Sequence, residues 1–198
     1  MTLHGEQSPI NRFYFLFLLD LRVMAIVEDI DDDFIEPITL EETKDYLGIP
    51  NNSRKDDAFI ERLIKAARSG LEDFLGRTIV YRRLRYRTKD LDGPYFLTPY
   101  LDTVEAVLYD IWEPEIREWI TVDCLKYTYD AGEDSTVYAE IPRNAKNIRI
   151  EYTAGFEEIP EAIKTALLEI VKMKFDRTDS NPYEVVRPSI QKWKVEIL

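Results

Sequence analysis

Ile148-Arg149-Ile150-Glu151-Tyr152-Thr153-Ala154-Gly155, followed from Pro160 by Glu-Ala-Ile-Lys-Thr-Ala-Leu-Leu-Glu-Ile-Val-Lys-Met-Lys-Phe175, is where the chain changes element type. The first half alternates apolar and polar residues, the spacing of a strand with one buried face, and Thr153-Ala154-Gly155 breaks it. From Pro160 the apolar period becomes about 3.6 residues, the spacing of a helix. Pro160 suits the first helical turn. Glu157, Glu158 and Glu161 complement the positive end of the helix dipole, and Lys172, Lys174 and Arg177 the negative end. Ile163, Ala166, Leu167, Ile170, Val171 and Lys174 form a core-facing stripe. Leu168, Met173 and Phe175 widen it beyond what a one-sided surface helix needs, which predicts a second packing partner for this helix.

Working outward, a Thr39/Glu42 capping box opens a short helix closed by Gly48 and Pro50. Asp56 is positioned to cap a longer helix of about five turns, with Phe59, Ile60, Leu63, Ile64, Ala67, Leu71, Phe74 and Leu75 on one face and Gly76 just past its end. From Thr78 the period shortens. Tyr81, Arg83, Arg85, Arg87 and Lys89 fall on one face of a strand, with Val80, Arg82, Leu84, Tyr86 and Thr88 on the other. Further short strands follow over 104–109, 119–122, 126–129, 137–141 and 148–152, separated by turn residues and spaced as antiparallel meanders. The order of two helices, a β insertion over about 78–153 and one long helix predicts an α+β fold, with a small helical core and extended N- and C-terminal arms. The expected divisions are 1–37 as an N-terminal extension with an acidic linker, 38–178 as the main domain, and 179–198 as a C-terminal arm. At 198 residues there is material for one proper core with appendages.

Charge is unevenly distributed. There are 26 Lys and Arg against 38 Asp and Glu, a net charge of −12, which opposes general binding to duplex nucleic acid. Residues 28–45 hold nine acids and one base, whereas 81–89 hold five bases and no acid. The acidic run reads as a solvated linker. Asp29, Asp31 and Asp33 have the spacing of a calcium loop, but Phe34 stands where that loop needs glycine and Leu40 where it needs glutamate, so no metal is expected. The basic run is the best nucleic-acid signal, through Arg83, Arg85, Arg87 and Lys89, but a cationic face also keeps an edge strand from pairing with neighbours, and these residues could instead pair with the acidic linker within the chain or, in an assembly, with a neighbour's acidic linker. With His4 as the single histidine and Cys124 as the single cysteine, neither a catalytic triad nor a His-rich metal site can be assembled. No carboxylate pair sits in a catalytic motif either. No catalytic residue, cofactor or enzymatic activity is expected, and a lone cysteine fits a reducing compartment.

The N-terminal run from Phe13 through Phe15 and Phe17 to Val27 is strongly apolar, but too short and too interrupted by Asp20 and Arg22 to span a membrane. It reads as a signal sequence, as an assembly segment packing on a neighbouring subunit, or as an extension upstream of a start at Met24. At the other end, Trp193, Val195 and Ile197 alternate with Lys192, Lys194 and Glu196. An extended tail of this kind, beginning at Ile190, is suited to adding a strand to a partner's sheet or returning to its own.

Thr39 to Ile49, Asp56 to Ala67 and Phe74-Leu-Gly-Arg77-Thr78 resemble the N-terminal half of the head-tail connector proteins of tailed bacteriophages. Ile148 to Phe156 followed by Ile159-Pro-Glu-Ala-Ile-Lys-Thr-Ala-Leu-Leu168 is similar to that family's strand, its Tyr-x-Ala-Gly turn and its helix start. These motifs cover about residues 39–178. The resemblance implies a non-enzymatic ring subunit, usually of twelve copies, that docks beneath the portal protein, receives the next neck, stopper or tail-completion protein, and helps retain packaged DNA. DNA then passes through the ring without sequence-specific binding, and the protein resides in the virion neck after assembly in the host cytoplasm. The expected contact residues are Ile190, Trp193, Val195 and Ile197 toward a partner, with Phe13, Phe15, Phe17, Leu168, Met173 and Phe175 between subunits. The alternative class is a nucleic-acid-binding packaging accessory acting through Arg83 to Lys89.

Overall fold

A computed structural model describes residues 14–15, 25–30, 34–98, 100–131 and 135–195. Helix α1 (Leu40–Leu47) is opened by the capping box, in which the Glu42 N–H donates to Thr39 Oγ1 at 3.1 Å and the Thr39 N–H to Glu42 Oε2 at 3.3 Å. Helix α2 (Asp57–Leu75) ends on Gly76, whose φ of 68° is the left-handed conformation glycine adopts most cheaply. Asp56 makes no side-chain cap bond. Asp57 instead accepts from the buried Lys44 ammonium at 2.8 Å, which also donates to the Asn51 and Ser53 carbonyls and so ties α1 to the start of α2.

The strands β1 (Tyr14–Phe15), β2 (Ile26–Asp29), β3 (Arg82–Thr88), β9 (Ala145–Ala154), β5 (Leu101–Glu113) and β6 (Glu118–Asp123) form one antiparallel sheet in that spatial order. A smaller sheet carries β4 (Tyr95–Phe96), β8 (Thr136–Ala139) and β7 (Tyr127–Asp130). Alternation along β3 and β9 puts Leu84, Tyr86, Ile148, Ile150 and Tyr152 inward, where they pack with Val104, Val107, Tyr95, Leu97 and Val137 in a core shared by the two sheets. The helices enclose a second core. Ile60, Ile64, Ala67, Leu71 and Leu75 of α2 meet Ile163, Ala166, Leu167, Ile170 and Val171 of α3 (Glu161–Phe175), closed by Val186 and Ile190 of α4 (Pro182–Ile190).

Two expectations change. The acidic segment is not simply a solvated linker: Ile26 to Asp29 pairs with β3 as a strand, and Glu28, Asp29 and Glu36 each meet an arginine. Aspartates 31–33 lie outside the described residues. Within the C-terminal arm, Pro182–Ile190 is helical, and the stretch from Ile190 whose alternation suggests a strand begins as a 3₁₀ turn over Gln191–Trp193. Asn181 supplies the cap by accepting from the Tyr183 N–H, and Pro182 takes the first-turn position where a missing N–H costs nothing. Pro188 lies in the last turn, on an exposed position, and forgoes one backbone bond there. What holds the segment in place is burial: Ile190 is fully buried, and Tyr183 fits against Gly70, where an added Cβ would come within 1.9 Å of the phenol oxygen.

Candidate assembly surfaces

Where the two cores meet, a chain of charges is buried. Glu72, on α2, accepts from the Ile79 N–H at 2.9 Å, from Arg68 Nη1 at 2.9 Å and from Arg82 Nη1 at 2.8 Å. Arg68 continues to Glu36 at 2.9 Å and Arg82 to Asp29 at 2.7 Å, and the Phe34 ring lies over both guanidinium groups at 4.5 and 5.3 Å. Each charge therefore has a counter-charge, as burial requires. This seam fastens the acidic segment, α2 and β3 to one another.

The outward face of β3 carries a second, more exposed set. Arg83 meets Glu105 at 2.7 Å, Arg85 meets Glu151 at 2.6 Å, and Arg87 meets Glu28 at 2.6 Å. Further along the same face, burial alone would raise the pKa of Asp110, but bonds from Asn147, Thr121 and Arg149 outweigh it and hold the carboxyl below its usual range. The arginines that sequence offers to DNA or to a neighbour's acidic linker are thus matched by carboxylates of their own chain. Lys89 stands at the exposed end of this row.

The subunit-interface candidates separate. Leu168 and Phe175 are half-buried against the helical core, with the Phe175 ring 6.0 Å from that of Phe59, so the wide stripe of α3 has its second partner partly within the chain: α4 and Phe59. Met173 lines a shallow surface depression with Lys174, Arg177, Thr178, Ser180 and Pro182. Phe15 belongs to β1 by its backbone pairing with Ile26, while Phe13 and Phe17 lie outside the described residues. Of the tail residues, Ile190 is core and Trp193 packs at the core's margin. The Val195 N–H donates to the Leu75 carbonyl at 2.8 Å, and Ile197 lies outside the described residues. Ile190, Trp193 and Val195 therefore serve their own fold rather than forming a free apolar edge.

Other features are not singled out by sequence. The β5–β6 hairpin carries Trp112 opposite Trp119, their rings 5.7 Å apart and both exposed, with Lys146 Nζ 3.3 Å over Trp119 and Ile116 exposed in the loop. The signal was present as two tryptophans and an isoleucine around a polar turn. Arg77 is buried between the Tyr100 and Phe156 rings, and that burial lowers its pKa. Among the described residues no cluster of His, Cys, Asp or Glu is arranged to hold a metal, and no helix is long and apolar enough to cross a membrane.

The architecture has a counterpart in known proteins. The head completion protein family matches residues 36–184. The chain belongs to that family. It is thereby a structural protein of the phage head-tail connector class, and not an enzyme. A chain from the neck of an empty GTA particle, computed with C6 symmetry, superposes with a TM-score of 0.68 at 15% identity, covering 87% of this chain and 96% of that one. A chain from the virion of a native gene transfer agent (GTA) particle gives 0.65 at 17%, and one from the neck of the native particle computed with C12 symmetry gives 0.60 at 15%, with the same coverage. At such identity the likeness is one of fold. No curated relative matches the sequence. The family match starts at Glu36, within the seam, and ends at Glu184, in α4, so this head completion protein carries its N-terminal strands outside the matched region.

Proposed function

We propose that this protein is a ring subunit of the phage neck, usually of twelve copies, that docks beneath the portal protein after DNA packaging and receives the next neck, stopper or tail-completion protein. The observation that carries this reading is the correspondence of nearly the whole fold with chains from a GTA neck, within a family named for head completion. In such a ring the net charge of −12 repels DNA from the passage wall, which lets DNA pass while the assembled neck helps retain it. Assembly takes place in the host cytoplasm and the product resides in the virion. Native mass measurement and negative-stain imaging with and without the cognate portal protein test this. Closed rings on the portal are expected; a monomer that ignores the portal at all concentrations overturns it.

The packaging-accessory alternative needs free cations on β3, and Arg83, Arg85 and Arg87 are already matched by Glu105, Glu151 and Glu28. A gel shift on duplex DNA that weakens steeply with salt would revive it.

A further inference from the structure

Arg77 lies where three chain segments meet. It follows the left-handed Gly76, and its guanidinium carbon lies 4.1 Å from the centroid of the Tyr100 ring and 4.1 Å from that of Phe156. Both walls are held by backbone. Tyr100 adopts φ of 57°, a left-handed conformation that a bulky residue rarely occupies, and Phe156 donates its N–H to the Ile79 carbonyl at 3.0 Å. Gly155, with φ of 121°, permits the approach, since a Cβ there would stand 2.4 Å from the Val80 carbonyl oxygen. Three separate chain segments therefore build one slot around a single cation.

Arg77 differs from the other buried arginines in its partners. Each of the other buried or half-buried arginines among the described residues meets a carboxylate of the chain, from Arg68 to Arg187. Arg149 also leaves its Nε unpaired, but Asp110 answers its charge. Arg77, only 8% exposed, has no described carboxylate, and its Nε is buried without a partner. Stacking satisfies the faces of a guanidinium and leaves its in-plane donors, the part that grips a planar acceptor with two parallel bonds.

We propose that the Arg77–Tyr100–Phe156 slot receives a carboxylate side chain from a second copy of this chain. The occupant is argued from charge: 38 acids against 26 bases leave every copy with surplus carboxylates, and the same surplus repels a polyanionic phosphate backbone at long range. A site completed by the neighbour is necessarily unpaired in the single chain. This inference rests on the ring reading for its occupant, but not for the slot itself.

Two measurements on the full chain test it. In the first, the Arg77 Nε–H resonance is followed by NMR during titration with sodium acetate, sodium chloride or sodium phosphate at matched ionic strength. Acetate is expected to move it saturably and chloride not at all. Equal responses to acetate and chloride, or a response to phosphate at lower concentration than to acetate, overturn the carboxylate assignment. In the second, self-association is measured by sedimentation for Arg77→Met, which keeps length and loses the charge, and for Arg77→Lys, which keeps charge and loses the fork. Both are expected to melt with the wild type and to associate at least about tenfold more weakly. Wild-type association in either variant overturns the proposal, and Arg77→Lys decides alone if Arg77→Met does not fold. A wild type that never associates removes the ring reading and the second-copy occupant together, while a saturable acetate response would still mark the slot as a carboxylate site.

Discussion

The two cores of this protein are made of different material. The helical core's fully buried members are all aliphatic, from Ile38 to Ile190. The sheet core is built around Tyr86, Tyr95 and Tyr152. Burial pushes the Tyr95 and Tyr152 phenols up to about 12 and raises Tyr86 as well. The fully buried members of one core thus carry no ionisable group, whereas those of the other include three phenols. The cores share no buried residue, and the Glu72 seam lies between them. A fold with two cores stays cooperative only as far as its junction is strong.

The severest way to break this arrangement is Glu72→Gln, which takes from Arg68 and Arg82 the buried counter-charge they share and leaves them only the more exposed Glu36 and Asp29. A loss of about 3 kcal/mol or more is expected in urea unfolding, with the single transition broadening or splitting; a loss below about 1 kcal/mol would show that the seam does not couple the cores. Next is Ile190→Ala, at about 2–4 kcal/mol, with faster hydrogen exchange in α3 than in β9. Exchange rising equally in both would deny the cores their independence. If α4 is the helical core's closing element, removing residues 183–198 destabilises the protein for the same reason.

A smaller effect separates the cores by pH. A phenol whose folded pKa is raised contributes stability that is complete below the unfolded value of about 10 and is lost as pH rises through the folded value. The urea midpoint should therefore fall between about pH 10 and 12, with β9 amides exchanging before those of α3. Tyr152→Phe should flatten that fall, at a cost near neutrality of about 1 kcal/mol for its 2.7 Å bond to Thr98 Oγ1. The smallest change belongs to the outer row on β3. Glu151→Gln should cost less than about 1 kcal/mol, and the cost should shrink in high salt; a large, salt-independent loss would place that row with the seam rather than the surface.

Much of the fold is legible because its signals are local. The Thr39–Glu42 box, Gly48, Gly76 and the change of period at Pro160 each act within a few residues, and the structure puts α1, α2 and α3 where they indicate. The strands of the β insertion are legible for the same reason, but their pairing is not: where the spacing suggests meanders, β9 lies between β3 and β5, and β4, β8 and β7 form a separate sheet. What sequence alone does not show is non-local. Asp29 finds Arg82 across 53 positions, so the acidic segment reads as a linker when its start is a strand paired with β3 and half of a charge seam. In the tail, Trp193 and Val195 alternate as in a strand, but Gly70 and the apolar margin of α2 offer Tyr183 and Ile190 a better place. The Arg77 slot depends on the backbone conformation of Tyr100, which no residue pattern announces.

The chain's three tryptophans are divided between these regions, two side by side on the β5–β6 hairpin with their ring planes 60° apart and one at the margin of the helical core. Two indoles 5.7 Å apart couple their electronic transitions, and an ammonium lying over one of them shifts its emission. The hairpin consequently carries its own optical label. Its far-ultraviolet dichroism and fluorescence will change when a partner covers it, while Trp193 reports separately on whether the tail has left its seat.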